Sequence, residues 1–232
     1  MSGEQVWRLH GPSELYVKVG PTTADEAARL VWLAARGLPV AEVVDARDGY
    51  LVTRALAGVP ASDPWPAHAR ARVVDAIADI TRRLHALDVG TCPFDRTLTV
   101  TVGEAKLAAH DGRVALDDVD AERAGWSAAQ LVAELDRTRP ATEDLVVCHG
   151  DLSLPNVLID PQTLEVTGLV DLSRLGVADR YVDLAIATRS MALHPANTQF
   201  GPAMAQHFLD RYGVPEPDQD KIAFYRLLDE FA

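Results

Sequence analysis

The sequence predicts an α+β fold in two lobes, residues 1–56 and residues 57–232. Three observations lead there. Residues 4–56 read as short apolar strands with one amphipathic helix among them; a Gly- and Pro-containing stretch from Ala57 to Pro66 then changes the composition. Beyond it, helical stripes surround a strand, a tight turn and a hairpin between Leu145 and Asp171. A chain of 232 residues with 48% hydrophobic content can bury a full core, in one domain or two.

Glu4–Leu9 and Glu14–Val19 are expected as strands, joined by a His10-Gly11-Pro12-Ser13 turn. Thr23–Ala35 follows as an amphipathic helix that stops near Gly37. Leu51–Leu56 begins as a further apolar strand, and Gly58, Pro60 and Asp63-Pro64-Trp65-Pro66 mark the hinge between lobes. His68–Ala86 carries Val73, Val74, Ile77, Ile80 and Leu84 on one helical stripe, which is a core face. The acidic run Asp117–Arg123 reads as a loop before a helix beginning near Ser127. Leu145–Cys148 is a buried strand feeding the turn His149-Gly150-Asp151, and Val157–Ile159 with Val166–Val170 make a hairpin around Pro161-Gln162. A helix over Ile222–Phe231 closes the chain.

The charge balance is 22 basic against 34 acidic residues, a net of −12, which argues against nucleic acid and anionic membrane as partners. A cationic small molecule suits it, and an acidic surface also serves solubility. No run approaches the roughly 18 apolar residues of a membrane helix and no basic segment precedes an apolar signal core, so a cytoplasmic protein is expected. Cys92 and Cys148 lie far apart and lack zinc-ligand spacing, so both are expected reduced, with Cys148 in the core. The oligomeric state has no signature in the sequence.

The chemistry is concentrated in His149–Asp171. Asp151, an Asn five residues later at 156, and Asp171 at the end of the second hairpin strand are spaced as phosphoryl transfer requires: one carboxylate for the acceptor hydroxyl and two oxygen ligands for a cation on the nucleotide phosphates. A D-x-x-x-x-N pattern alone recurs by chance. Here the hairpin brings Asp171 back beside Asn156, so the two oxygens converge on one hard cation.

The run from His149 to Asp171, with Ser173–Tyr181 and Asp183-Leu184-Ala185 behind it, resembles the aminoglycoside 3'-phosphotransferases, small-molecule kinases with a protein-kinase-like fold. The likeness extends from about Ser2 to Phe231 and includes Leu15-Tyr16-Val17-Lys18, Trp32-Leu33, Leu38-Pro39-Val40, Glu143–Val147 and Leu227–Phe231. It implies ATP or GTP and Mg²⁺ as cofactors, an aminoglycoside as acceptor, Asp151 as the catalytic carboxylate, and Asn156 and Asp171 as metal ligands. It makes Lys18 the phosphate lysine and places adenine against backbone groups of about Arg54 to Leu56. Glu26, six residues before Trp32, matches the carboxylate that pairs with that lysine; with Thr23 it also fits a T-x-x-E capping box, which needs no further purpose. Ser2 falls at the end of the loop that covers the phosphates, so the first strand and the front of that loop are expected to be missing, with weakened nucleotide binding. The rival readings are a kinase of another small alcohol or amine-bearing antibiotic, and a non-catalytic remnant.

On the acceptor side the resemblance matches Asp118 and Asp120 to substrate-binding acids, sets Ala121 where a Glu is common, and makes Arg174 a family arginine whose ordinary alternative is a salt bridge to Asp183 or another loop acid. His149 and Asp183 are expected as scaffolds of the catalytic turn. Asp229, Glu230 and the terminal carboxylate crowd a helix end, where the dipole favours cations by roughly 0.3–1 kcal/mol per charge. Three negative groups there oppose folding, and a polycationic ligand facing Asp229 and Glu230 would explain them.

Overall fold

A computed structural model describes residues 5–11, 14–193 and 197–232. Four strands, β1 (Gln5–Leu9), β2 (Leu15–Val19), β3 (Val43–Arg47) and β4 (Tyr50–Arg54), form an antiparallel sheet in the order β1-β2-β4-β3. Helix α1 (Thr23–Ala34) packs on β3 and β4, burying Ala27, Leu30 and Leu33. The register sets Lys18 opposite Leu51, a residue only 2% exposed, on the strand pair that carries the lysine towards the second half of the chain. Sequence reading passed over β3, although its signal is present. Arg47 pairs with Tyr50 across the two-residue loop Asp48-Gly49, a hairpin dipeptide, with Gly49 at φ +88°.

Past the hinge the chain is mainly helical. Helix α2 (Arg70–His85) buries Val73, Val74, Ile77, Ile80 and Leu84, the predicted stripe. Helix α3 (Leu98–His110) precedes α4 (Ala128–Thr138), whose Ser127 cap and Gln130 make a reciprocal capping box. Helix α5 (Tyr181–Ala192) runs through the core, and α6 (Gly201–Tyr212) and α7 (Gln219–Asp229) pack against it. Helix α7 begins three residues before the expected start because the Asp218 side chain accepts from the Lys221 N–H at 3.1 Å and caps it there.

Two small sheets sit among these helices. Strand β5 (Val59–Pro60) pairs with β7 (Val157–Ile159), which pairs with β8 (Val166–Leu169); β6 (Leu145–Cys148) pairs with β9 (Gly176–Asp179). The predicted hairpin is thus formed, with Val157 opposite Leu169. Among the described residues no helix is long and apolar enough to cross a membrane.

Candidate active site

Strand β6 delivers the chain from the core into a turn that Asp183 holds from below. The Asp183 carboxylate, fully buried on α5, accepts the His149 N–H at 2.8 Å and the Gly150 N–H at 2.9 Å, and meets the His85 Nε2 at 2.9 Å. Burial alone would push its pKa up. The hydrogen bond and electrostatic pull of His85, with the Gly150 N–H, outweigh burial and hold it below the usual carboxylate value. Gly150 has φ +87°, and a Cβ there would lie 2.4 Å from the Arg174 carbonyl oxygen, so only glycine fits. The His149 Nε2–H donates to the Val170 carbonyl at 3.0 Å, while Nδ1 accepts the Asp151 N–H at 3.2 Å. Both ring nitrogens are thereby committed to shaping the turn, as a scaffold residue's would be.

The turn presents Asp151 next to Asn156. The Asn156 amide donates to the Asp151 carbonyl at 2.9 Å and to its carboxylate at 3.0 Å, which fixes the carboxylate and leaves the Asn156 amide oxygen for a cation. The Val170 N–H donates to the Asn156 carbonyl at 3.0 Å, bringing the next residue, Asp171, alongside. Asp171 has φ +56°, an uncommon conformation for a residue with a side chain, and its carboxylate is half-exposed.

Lys18 reaches this group from the N-terminal sheet. Its ammonium lies 2.7 Å from Glu26 and 3.2 Å from Asp171. The two readings of Glu26 separate here. Thr22, not Thr23, is the N-cap of α1, the Thr23 hydroxyl donates to the Gly20 carbonyl, and no side chain caps the helix, so the capping box is absent. The buried Glu26 carboxylate instead binds Lys18 and accepts the Leu172 N–H at 3.3 Å.

The Arg54 N–H donates to the Glu42 carbonyl at 2.9 Å and the Ala55 N–H to the Glu14 carbonyl at 2.9 Å, because β4 continues its pairing to its last residue. The Arg54 guanidinium pairs with Glu42 at 2.8 Å. Of the backbone groups from Arg54 to Leu56 that are expected to face a base, the Leu56 N–H has no hydrogen-bond partner among the described residues. Ser2 lies outside the described residues.

On the acceptor side the acids have partners within the chain. The acids at the end of α7 are not left facing outward; they are met by arginines. Asp229 takes Arg174 at 2.9 Å and is also paired with Arg189, and Arg189 reaches Asp120 at 3.7 Å. The Glu230 side chain, 4% exposed, takes Arg123 and the Asp120 N–H, each at 3.0 Å. Arg174 is thus paired with the last residue of α7 rather than with Asp183 or a loop acid, and Asp120, Asp229 and Glu230 are members of one ion-pair network. Asp118 stands apart, exposed. The residues missed in the sequence are Arg123, Arg189 and Arg226. Arg226 is half-buried, donates to the Thr188 hydroxyl at 3.2 Å and has a lowered pKa, from burial first and then from Arg189 and Arg123. A cavity of about 500 Å³ adjoins the turn, lined by Gly150, Arg174 and Asp229 among others.

Residues 1–225 match the family described as "Phosphotransferase enzyme family". An aminoglycoside 3'-phosphotransferase of Streptomyces ribosidificus is 52% identical over 244 residues, which span 99% of this chain and 92% of that protein. The chain belongs to the aminoglycoside 3'-phosphotransferase family. The crystal structure of an aminoglycoside-3'-phosphotransferase of type VIII superposes on it with a TM-score of 0.94 at 50% identity, covering 100% of this chain and 90% of that one. An aminoglycoside phosphotransferase of Streptomyces rimosus, in complex with ADP and streptomycin, is 32% identical with a TM-score of 0.85, covering 99% and 92%. Like these members of the aminoglycoside 3'-phosphotransferase family and their relatives, this chain is an enzyme of the α+β kinase-like type, an antiparallel sheet followed by a mainly helical part.

Proposed function

We propose that this enzyme transfers the γ-phosphoryl group of ATP or GTP to the 3'-hydroxyl of an aminoglycoside, in the cytoplasm where nucleoside triphosphate is supplied. The observation that carries the reading is the convergence of Asp151 and Asn156 with the Lys18–Glu26–Asp171 group on one turn. Asp151 is the group that orients the acceptor hydroxyl and takes its proton. Its carboxylate is held by Asn156, so its direction is set before substrate arrives.

The Asn156 amide oxygen and the Asp171 carboxylate are hard oxygen donors of the kind Mg²⁺ takes, and the ion they would hold neutralises charge on the nucleotide phosphates. Lys18, oriented by the buried Glu26, adds a second cation for the phosphates. Because the transition state of such transfers is loose, this positioning and charge neutralisation matter more than the strength of the base. The net charge of −12 attracts an acceptor that carries several ammonium groups.

Steady-state assays with ATP and with GTP, against 3'-hydroxyl aminoglycosides and streptomycin, test the reading. Phosphorus-coupled NMR of the product locates the new ester. Product phosphorylated at the 3'-oxygen is expected; phosphorylation of streptomycin alone would assign the chain to 3''-chemistry instead.

A further inference from the structure

Helix α1 carries a second charged side chain whose partner lies in the far half of the chain and which the proposed chemistry does not use. Arg29, half-buried and three residues beyond Glu26, donates its Nε–H to the Leu175 carbonyl at 2.9 Å. Glu26 accepts the Leu172 N–H at 3.3 Å, and the Leu175 N–H donates to the Leu172 carbonyl at 3.0 Å. Two side chains three apart on one helix face thus hold two residues three apart on one loop, the first by its N–H and the second by its carbonyl.

That loop joins the two halves of the site. It begins at Asp171, which pairs with Lys18, and its Arg174 carbonyl is the group that lies against Gly150 of the catalytic turn. The buried side chains of Leu172 and Leu175 pin the loop to the core, while Glu26 and Arg29 set where its backbone sits along α1. Arg29 is itself prearranged. Its guanidinium lies 4.8 Å from the centre of the Phe94 ring, and Phe94 is fixed by the Val177 N–H, which donates to its carbonyl at 2.7 Å, and by an edge contact with Trp32 of the same helix. Burial outweighs the pull of Asp25 and lowers the Arg29 pKa, as befits a guanidinium withdrawn from water, where a hydrogen bond to a carbonyl is strengthened.

We propose that Arg29 is a positioning residue for the transfer: by holding the Leu175 carbonyl it fixes the loop from Asp171 to Leu175 against α1, and so sets Asp171 and the Lys18–Glu26 pair at their distance from Asp151. The inference rests on the function proposed above and deepens it. Glu26 alone could not do this, since its one contact with the loop lets the backbone pivot about Leu172. The second contact removes the pivot. Nucleotide side and catalytic turn are then held in one arrangement before either substrate binds, which is where positioning contributes most to a loose transition state.

The test uses Arg29→Met, which keeps an apolar stem without a donor, and Arg29→Lys, which keeps a cationic donor. Amide hydrogen exchange of residues 171–176 is read in the nucleotide-free protein, with kcat and the KM values for ATP and for the aminoglycoside in parallel. Arg29→Met should speed exchange at the Leu172 and Leu175 amides, raise KM for ATP about fivefold and lower kcat about tenfold, with KM for the acceptor within about twofold. Arg29→Lys should keep kcat within about threefold of wild type. Wild-type exchange and kcat in Arg29→Met overturn the proposal; so does an equal loss in both variants that raises both KM values alike, which marks a defect of the fold and not of position. Absence of turnover in wild type overturns the functional reading instead, and faster exchange in Arg29→Met would then still support the hold on the loop.

Discussion

Glu230 and Arg123 close on each other at 3.0 Å with both side chains more than nine-tenths buried, and the same Glu230 oxygen receives the Asp120 N–H. This contact ties the end of α7 to the acidic loop before α4. Burial first, and then the charge of Asp120, raise the Glu230 pKa despite that N–H and the two nearby arginines. Ionising Glu230 in the fold is therefore costly. The sign follows: a raised folded pKa means a contribution that is full below the unfolded value and is lost as pH rises through the folded one.

Two substitutions separate the charge from the hydrogen bonds. Glu230→Gln keeps an acceptor of the same shape and should leave stability at pH 7 nearly unchanged. Glu230→Ala leaves the Asp120 N–H without its acceptor and Arg123 with Glu122 and Asp120 alone, and should cost about 1–3 kcal/mol. Urea denaturation of the two variants at pH 7 checks this; an equal loss in both would mean that the charge itself holds the contact.

Asp151→Asn should lower kcat by roughly 10²–10⁴ with KM for ATP little changed, because the amide cannot take the hydroxyl proton while its oxygen can still receive the Asn156 N–H. Steady-state kinetics decide it. Unchanged kcat would remove Asp151 from the chemistry.

Asp171→Ala should act on binding instead. The variant loses one oxygen donor of the proposed cation site, while Lys18 keeps Glu26 at 2.7 Å. Calorimetric affinity for ATP in the presence of Mg²⁺ should fall at least about tenfold, or roughly 1.4 kcal/mol, with the melting temperature close to that of wild type. Wild-type affinity would show that the carboxylate holds no cation on the nucleotide.

What could be read in the sequence was what is local. Asp151, Asn156 and Asp171 are joined by one turn and one hairpin, so spacing alone places them together. Glu26 stayed ambiguous because its distance from Thr23 fits a capping box as well as its distance from Trp32 fits a lysine partner. The Arg174 and Arg189 pairs with Asp229 join residues 55 and 40 positions apart, which no local pattern encodes. Helix α5 hid its period because Asp183 and Leu184 through Thr188 are buried in succession. Helix α3 hid behind Thr99, Val100, Thr101 and Gly103, poor helix formers that packing of Leu98, Val102, Ala105 and Ala108 overrides.

Acid should probe the bond between Asp183 and the catalytic turn. The Asp183 pKa lies below its usual 3.8, so this carboxylate stabilises the fold above that value and loses its contribution as pH falls through the lower, folded one. Asp183→Asn keeps an acceptor oxygen for only one of the His149 and Gly150 N–H groups, turns an amide donor towards the other and removes the charge beside His85, a change that should cost about 3–5 kcal/mol at pH 7. The gap between variant and wild type should narrow below about pH 4, as wild type alone loses this term. The variant should also lose kcat, since the turn that aims Asp151 hangs on those two N–H groups. Denaturation curves from pH 7 to pH 3 with parallel kcat values test both links: a gap that stays constant with pH denies the depressed carboxylate, and a full kcat at neutral pH denies that Asp183 positions the turn.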